Sequence, residues 1–361
     1  MSLRIVHYYP RAWVGDGGCS SAVRGWASAV AETGAQVTVV SDGNGDPPAI
    51  GHVRWLSTPH RAWGRMRAPV GLEQLLHDRD LLVLHSGWVY HNVEAARSAV
   101  RSGVPYLLTP HGAYDPNIFK RRPTSKRLWW TVFERRLVTR ARVIHVFFEE
   151  QRDELRQLGY TGAVVVAPNG LTIPDFETQP TRSSFLLWMG RFDIEIKGLD
   201  LLLYALASLP PGARPRTRLH GPDWRGGKQQ VAKLVRDLGL ADFVTIGPPL
   251  YGSAKWEALR DCGLFIFPSR WEGQGLMALE AAGAAAPLIV TSTTSVGRHL
   301  AAAQAAILVE ATVQSIAAGI IRGSGSSDAG ELGARASQFV QERFSWPVVA
   351  ESYAQQLRAL L

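Results

Sequence analysis

Two glutamates, Glu272 and Glu280, stand eight positions apart after an apolar run, in a stretch that could bind a ligand. Between them lie Gly273, Gln274, Gly275 and Leu276, followed by three more residues. On one helix, eight positions amount to about 80° of rotation beyond two full turns, so the carboxylates would not share a face. We expect Glu272 in a loop and Glu280 at least one turn inside the following helix.

The two glycines leave backbone N–H groups open just before that helix, an arrangement that can bind an anion. A carboxylate beside a bound phosphate is unfavourable because like charges repel. Glu272 would therefore need neutral hydroxyl groups to accept from, and sugars supply them. The alternative is that Glu272 complements the helix dipole and that Glu280 is a solvated helix residue.

A second candidate loop, residues 190–198, begins with Gly190 and Arg191 and ends with Lys197. A guanidinium forms forked contacts with phosphate oxygens and an ammonium acts as a point charge, so this loop could hold a diphosphate. The alternative is a solvated loop whose cations pair with Asp193 and Glu195.

Two further loops lie in the first half of the chain. His111 follows an apolar run and precedes a glycine, which can present its imidazole to a ligand. Gly17 and Gly18 belong to a glycine-rich stretch, residues 15–20, which with Asp42 weakly matches a dinucleotide-binding fingerprint. A structural loop histidine and a glycine turn without ligand are the alternatives.

Short apolar strands alternate with helical segments along the chain, and the series begins again after residue 180. This pattern predicts two doubly wound α/β domains with parallel sheets covered on both faces. We expect an N-terminal domain over residues 1–178, a second over 179–342, and a final helix over 343–361. Ligands of such sheets bind outside the carboxyl ends of the strands, so we expect a cleft between the domains.

The net charge of +8 is uneven, because residues 1–175 carry a net charge of +6. That excess favours an anionic partner for the first half, such as a membrane surface or a phosphorylated substrate. Basic and aromatic residues mix at 120–130, typical of contact with anionic lipid or a lipid diphosphate. A solvated basic face is the alternative, and no nucleic-acid recognition motif accompanies the charge.

The two cysteines lack metal-ligand spacing, no run could span a membrane and the start lacks a secretory signal, which favours the cytoplasm.

Taken together, these motifs resemble the family 4 retaining glycosyltransferases of GT-B fold over nearly the whole chain. Glu272 with Glu280 looks like the E-x7-E element, and Gly190-Arg191 with Lys197-Gly198 resembles the G-R-x(n)-K-G signature. The glycine loop, the Pro110-His111-Gly112 loop, residues 167–170 and residues 344–346 follow in the family's order. The region from His111 to residue 170 is similar to a bacterial subgroup that assembles surface polysaccharides.

The resemblance implies transfer of a hexose from a nucleotide-sugar, with UDP favoured over GDP, to a glycan, lipid-linked or small-molecule acceptor. Arg191 and Lys197 would hold the donor diphosphate together with N–H groups near Gly18 and of residues 273–276. Glu272 would accept from the donor sugar, Glu280 from the ribose, and His111 would contact the sugar. These cations would replace a divalent metal, so neither a metal nor another cofactor is expected. The C-terminal helix would cross back to the N-terminal domain, and the protein could lie at the inner face of the cell membrane.

The chain departs from the family pattern at several places. Ser20 occupies a position where the family often has a carboxylate, which affects acceptor binding, and residues 284–287 and 147–150 also differ. Transfer to a small soluble acceptor, a nucleotide-sugar epimerase, a nicotinamide-dependent oxidoreductase and a non-catalytic nucleotide-sugar sensor are the alternative functions.

Overall fold

The computed structural model describes residues 2–13, 18–42, 50–64, 66–120, 123–176, 182–326 and 328–360. It divides into two compact units. Unit 1 comprises Met1–Gly170 with Phe344–Leu361, and unit 2 comprises Leu171–Arg343.

Unit 1 is built on a seven-stranded, all-parallel sheet with the strand order β3-β2-β1-β6-β7-β8-β9, beside a separate antiparallel hairpin, β4-β5. The strands are β1 (Arg4–Tyr8), β2 (Gln36–Ser41), β3 (Val53–Ser57), β4 (His60–Trp63), β5 (Met66–Pro69), β6 (Leu81–His85), β7 (Tyr106–Thr109), β8 (Val143–Val146) and β9 (Ala163–Val166). The central strands are buried along their whole length, as expected for a parallel sheet covered on both faces.

Helices cover both faces of this sheet. They are α1 (Gly18–Glu32), α2 (Leu72–Leu76), α3 (Tyr90–Arg101), α4 (Pro116–Lys120), α5 (Pro123–Trp129), α6 (Arg135–Thr139) and α7 (Gln151–Gln157), with a π-helical turn over Trp130–Glu134. One core contains Trp26 and Leu107, and a second, on the other face, contains Tyr106 and Leu137.

Unit 2 has a six-stranded, all-parallel sheet with the order β12-β11-β10-β13-β14-β15. Its strands are β10 (Leu186–Met189), β11 (Thr217–His220), β12 (Val244–Gly247), β13 (Leu264–Phe267), β14 (Leu288–Thr291) and β15 (Ile307–Val309). Its helices are α8 (Ile194–Lys197), α9 (Leu199–Ser208), α10 (Gly227–Asp237), α11 (Gly252–Asp261), α12 (Leu276–Gly283), α13 (Ser295–Ala302), α14 (Val313–Ser324) and α15 (Ala329–Phe344), with a 3-10 turn over Pro211–Ala213.

The strand order reverses direction once in each sheet. In unit 2 the reversal lies between β10 and β13, and in unit 1 it lies between β1 and β6. At such a reversal the loops after the two strands diverge and leave a crevice, where ligands of this architecture bind. The fold therefore directs attention to the loops after these four strands.

The last helix, α16 (Trp346–Leu360), belongs to unit 1, as the predicted fold class requires. The Trp346 and Tyr353 rings pack against the Trp26 ring of α1, with centroids 5.4 and 4.6 Å away. The Gln356 amide exchanges two hydrogen bonds with the backbone of Val166 in β9. Because Gly25 and Gly170 contact the Trp346 indole closely, a side chain at either would displace this ring.

Candidate functional site

In unit 2, the loops after β10 and β13 meet through an ion pair between two of the predicted site residues. Nζ of Lys197 lies 2.5 Å from Oε1 of Glu272, and the two side chains are 16% and 13% exposed. The same carboxylate oxygen accepts a hydrogen bond of 2.7 Å from the hydroxyl of Ser269, a fully buried residue. An ammonium and a carboxylate are therefore held together at the crevice, largely shielded from water.

Close backbone packing makes this approach possible. Gly198 has φ +63°, and a Cβ there would lie 2.0 Å from the carbonyl oxygen of Pro268. Arg270 then joins the two loops: its guanidinium contacts both carboxylate oxygens of Asp200 at 2.7 Å. The backbone N–H of Arg270 also donates to the backbone carbonyl of Ile196. Ser269, Arg270 and Asp200 thus fix the pair in place.

The glycine-rich stretch ends where α12 begins. Gly275 occupies the N-cap position with φ +82°, and no side chain caps the helix there. Glu272 lies in the loop and Glu280 is the fifth residue of α12, as the spacing predicts. Glu280 forms a 2.8 Å ion pair with Lys255 of α11. Gln274, in the loop just before α12, is buried.

Arg191 is exposed, and its guanidinium lies 4.5 Å from the centre of the Trp224 ring. It forms no ion pair within the part of the chain that the structure describes. Gly190 precedes it at the end of β10, and its carbonyl lies 1.6 Å from where a Cβ of Gly221 would stand. The cation–π contact holds Arg191 above the loop without consuming its charge.

In unit 1, His111 lies in the loop after β7 with φ +52°, a conformation that is uncommon for a residue other than glycine. It is half-buried, and its Nε2 lies 3.1 Å from Nδ1 of His85. Nε2 of His85 in turn lies 3.0 Å from Nδ1 of His7. Three imidazoles therefore form one hydrogen-bonded chain at the strand reversal of unit 1.

A fourth imidazole, His145, packs nearby with different partners. Its Nε2 donates to the carbonyl of Ala167 at 2.7 Å and its Nδ1 contacts the Thr109 hydroxyl. Burial lowers the pKa of His7 and of His111 to about 3 and the pKa of His145 to about 4. Burial also lowers the pKa of His85 well below its usual value. All four rings are therefore neutral at neutral pH.

The glycine loop of unit 1 is described only in part. Gly17 lies outside the described residues, and Gly18 is the exposed first residue of α1. Ser20, which stands where a family carboxylate was expected, is buried and donates to the carbonyl of Arg11. The side chain of Asp42 is fully buried and 3.7 Å from His60, so it is not presented as a dinucleotide fingerprint requires.

An apolar groove lies on unit 1 between α3 and the segment formed by the π-helical turn and α6. Its volume is about 260 Å³, and Val100, Val132 and Leu137 are among the apolar residues that line it. Arginines at 97, 101, 136 and 140 line it. The neighbouring Leu128 is 68% exposed beside exposed Arg127, while Arg121 and Arg122 fall outside the described residues. This face combines positive charge with exposed apolar surface.

The structure thus brings Lys197 and Glu272 into contact and places residues 273–276, Glu280 and Arg191 on the loops and helix around them. Reasoning from the sequence missed four residues around this pair, because single polar or aromatic residues carry no spacing signal: Ser269, Arg270, Lys255 and Trp224. His7 and His85 lie inside apolar strands and were not predicted from the sequence either.

Among the described residues, no group of three or more histidine, cysteine, aspartate or glutamate side chains is arranged to hold a metal ion. No helix within those ranges combines the length and apolar character needed to cross a bilayer.

Comparison with protein families identifies both halves of the chain. Residues 17–170 match the Glycosyl transferase 4-like domain, and residues 172–328 match the Glycosyl transferases group 1 domain. The chain therefore consists of two glycosyltransferase domains in this order.

Curated relatives carry the same type of name. The chain is 25% identical over 335 residues to a D-inositol 3-phosphate glycosyltransferase of Paenarthrobacter aurescens. The aligned region covers 81% of this chain and 81% of that relative. It is 33% identical over 149 residues to one from Kineococcus radiotolerans, which covers 36% of this chain and 34% of that relative.

Solved structures show the same fold. Sucrose-phosphate synthase from Thermosynechococcus elongatus matches with a TM-score of 0.77 at 19% identity over 99% of both chains. Anabaena HepE in complex with UDP and glucose matches with a TM-score of 0.78 at 17% identity, over 99% of this chain and all of that one. The predicted fold class, GT-B with two Rossmann-like domains, is confirmed.

Proposed function

We propose that this two-domain glycosyltransferase moves a hexose from a nucleoside-diphosphate sugar, with UDP favoured over GDP, to an acceptor hydroxyl with retention of anomeric configuration. The observation that carries the proposal is the shielded Lys197–Glu272 pair beside the uncapped N-terminus of α12. A cation and a helix N-terminus suit a diphosphate, and a carboxylate next to them suits the hydroxyls of the attached sugar.

In this proposal the charge that develops on the leaving diphosphate is stabilised by Lys197, Arg191 and the N–H groups of residues 273–276. Glu272 accepts from donor-sugar hydroxyls, and Glu280 accepts from the ribose. His111 binds the sugar near the reacting carbon. Fixed charges of this kind need no reorganisation during the reaction, which is why they lower the barrier.

We further propose that the reaction is independent of a divalent metal, because Lys197 and Arg191 supply two positive charges at the expected diphosphate position. Arg191 supports this assignment, since its charge is stacked on Trp224 and is not consumed by an ion pair within the described residues. Turnover should survive EDTA treatment, whereas a metal-dependent enzyme would lose it.

The first experiment is a panel of UDP-, GDP- and ADP-hexoses, with binding measured by calorimetry and by the shift in melting temperature. We expect one nucleoside diphosphate and its sugar to bind, and we expect slow donor hydrolysis without acceptor. NAD(H) is the control ligand: binding of NAD(H) alone would contradict the proposal. Binding without any hydrolysis or transfer would identify a nucleotide-sugar sensor. NMR of the product would show whether the anomeric configuration is retained.

For the acceptor, we propose a glycan or glycolipid intermediate met at the cytoplasmic membrane face. The basic and apolar face of unit 1 supports this, because Arg127, Leu128 and the arginine-lined groove suit an anionic lipid surface. Liposomes containing anionic lipid should co-sediment with the protein. Arg127→Glu with Leu128→Ser should weaken that association, whereas Lys233→Glu on exposed α10 is the control. Equal binding by both variants would contradict the membrane proposal.

A second candidate acceptor is a small phosphorylated polyol. The names of the curated relatives favour it, since they are D-inositol 3-phosphate glycosyltransferases, and so does the net charge of +6 over residues 1–175. Competing phosphorylated and neutral polyols in the same transfer assay would decide between the two acceptors.

A further inference from the structure

The histidine chain of unit 1 has a property that follows from counting protons. His7, His85 and His111 are neutral because burial lowers each pKa, so six ring nitrogens share three protons. Two of these protons must lie in the two nitrogen–nitrogen contacts of 3.0 and 3.1 Å, one in each. The third proton is therefore at one end of the chain, on Nε2 of His7 or on Nδ1 of His111.

The two ends differ in their surroundings. Nε2 of His7 is buried and has no hydrogen-bond partner among the described residues. A proton there would create an orphaned buried N–H, which folded proteins strongly avoid. His111 is half-buried in a loop, so a proton on its Nδ1 can be shared with water or a ligand. The third proton is more stable at the His111 end.

We infer that His7 and His85 are positioning residues that hold His111 as the Nδ1–H tautomer, so that its outward nitrogen donates a hydrogen bond. In that state Nδ1–H of His7 donates to His85, and Nδ1–H of His85 donates to Nε2 of His111. The functional meaning rests on the proposed glycosyl transfer: His111 donates to a sugar hydroxyl oxygen, whereas Glu272 accepts from one. Neither His7 nor His85 needs to touch the substrate.

The two inner imidazoles of the histidine chain come from two different strands. His7 is on β1 and His85 is the last residue of β6, the strands on either side of the sheet reversal. The centroids of the His7 and His85 rings are 5.2 Å apart and their planes differ by 19°, so the two rings are nearly coplanar and the 3.0 Å nitrogen–nitrogen contact lies close to both planes. The positive φ of His111 aims its Nε2 back at His85 rather than into solvent.

The direct test is tautomer assignment in the full chain labelled with nitrogen-15 histidine, by long-range proton–nitrogen correlation near neutral pH. We expect Nδ1 protonated and Nε2 unprotonated in all three rings. Protonation of Nε2 throughout would reverse the polarity and overturn the inference, and mixed or averaged tautomers would show that the rings are not coupled. This readout needs no turnover, so it stands or falls separately from the proposed function.

His85→Phe interrupts the chain and His145→Phe is the matched control. His145 is equally buried on β8 but bonds to Thr109 and Ala167 instead of joining the chain. We expect His85→Phe to average the His111 tautomers and to lower kcat/KM by about tenfold, the effect of one neutral hydrogen bond that is no longer held in place. UDP affinity should be unchanged. His145→Phe should leave the His111 tautomer as it is, and loss of the tautomer in both variants would mean general disturbance of the core.

A second variant keeps the test decisive if His85→Phe does not fold. His7→Phe leaves two rings and two protons, one in the remaining contact. The other should stay on Nδ1 of His111, because the alternative is again an orphaned N–H, now on His85. A change to Nε2 protonation at His111 in His7→Phe would contradict the inference.

Discussion

Glu272→Gln should affect nucleotide binding and catalysis in opposite directions. The substitution removes one negative charge but keeps an oxygen that can accept from the Ser269 hydroxyl. A diphosphate oxygen bonded to Lys197 at about 2.8 Å lies no more than about 5.3 Å from the Glu272 oxygen, since that oxygen is 2.5 Å from Nζ. Binding of a diphosphate therefore brings two negative charges close together.

The size of this repulsion can be bounded. Two unit charges about 5.3 Å apart repel by about 3 kcal/mol at an effective dielectric constant of about 20 and by about 0.8 kcal/mol in bulk water. Both side chains are mostly buried but close to the surface, so we take about 1.4 kcal/mol, or about tenfold in Kd. UDP should bind Glu272→Gln about tenfold more tightly than the unmodified protein.

Turnover of the donor sugar should nevertheless fall. A hydroxyl that donates to a carboxylate gains about 1.5–3 kcal/mol, and an amide oxygen supplies less, so kcat/KM should drop by roughly ten- to a hundredfold. Glu280→Gln is the matched control: assigned to the ribose and paired with Lys255, it should weaken UDP binding.

Calorimetric titration with UDP at about 0.05 M and about 0.5 M salt measures the effect and its electrostatic origin, because added salt screens the repulsion. Unchanged or weaker UDP binding by Glu272→Gln would refute the assignment of Lys197 to the diphosphate. Undiminished turnover would refute the assignment of Glu272 to the sugar.

Three further predictions concern stability and the donor loops. Gly275→Ala should lower the unfolding free energy by at least about 2 kcal/mol, because φ is +82° and a Cβ would stand 2.6 Å from Val296; Gly239→Ala, with φ +64° and open space, should cost only about 1 kcal/mol in the same denaturant titration. Below about pH 6.5 the unfolded chain binds protons at His7, His111 and His145, whereas the folded chain does not. The unfolding free energy should therefore be greatest above that pH. It should fall toward pH 4, by at most about 1.4 kcal/mol per histidine per pH unit. Unfolding curves at several pH values would show this, with a shallower slope for His145→Gln. Trp224→Ala should weaken UDP binding a few-fold by releasing Arg191, and an unchanged Kd would mean that the stacking contact does not prepare Arg191.

The architecture could be predicted from the sequence, and so could the positions of the glycine-rich and charged loops after β10 and β13, for a physical reason. Alternating apolar strands and helices produce a periodic pattern in the sequence. The glycines and charged residues that follow β10 and β13 are also directly visible in it. Glu272 and Glu280 could even be assigned to loop and helix from the pitch of an α-helix.

What the sequence could not show is which polar groups meet across sequence separations of many residues. Ser269 and Glu272 are neighbours, but Lys197 reaches Glu272 from 75 positions away, and Arg270 reaches Asp200 from 70. His7 and His85 are 78 positions apart within apolar strands, where a histidine looks like an ordinary buried residue. Such contacts depend on strand order and register, which periodicity alone does not specify.

Each unit has its candidate groups at the reversal of its strand order, but those of unit 2 form an ion pair and those of unit 1 are neutral. At the reversal in unit 2, the Lys197 and Glu272 side chains form an ion pair, and the Ser269 hydroxyl donates to the same carboxylate oxygen. At the reversal in unit 1, the buried imidazoles have no counter-charge and therefore stay neutral. A neutral imidazole can direct a hydrogen bond to a sugar hydroxyl without adding a charge to the loop that carries it. If His111 were cationic instead, it would attract an anionic ligand, and His111→Phe would then weaken UDP binding rather than turnover alone.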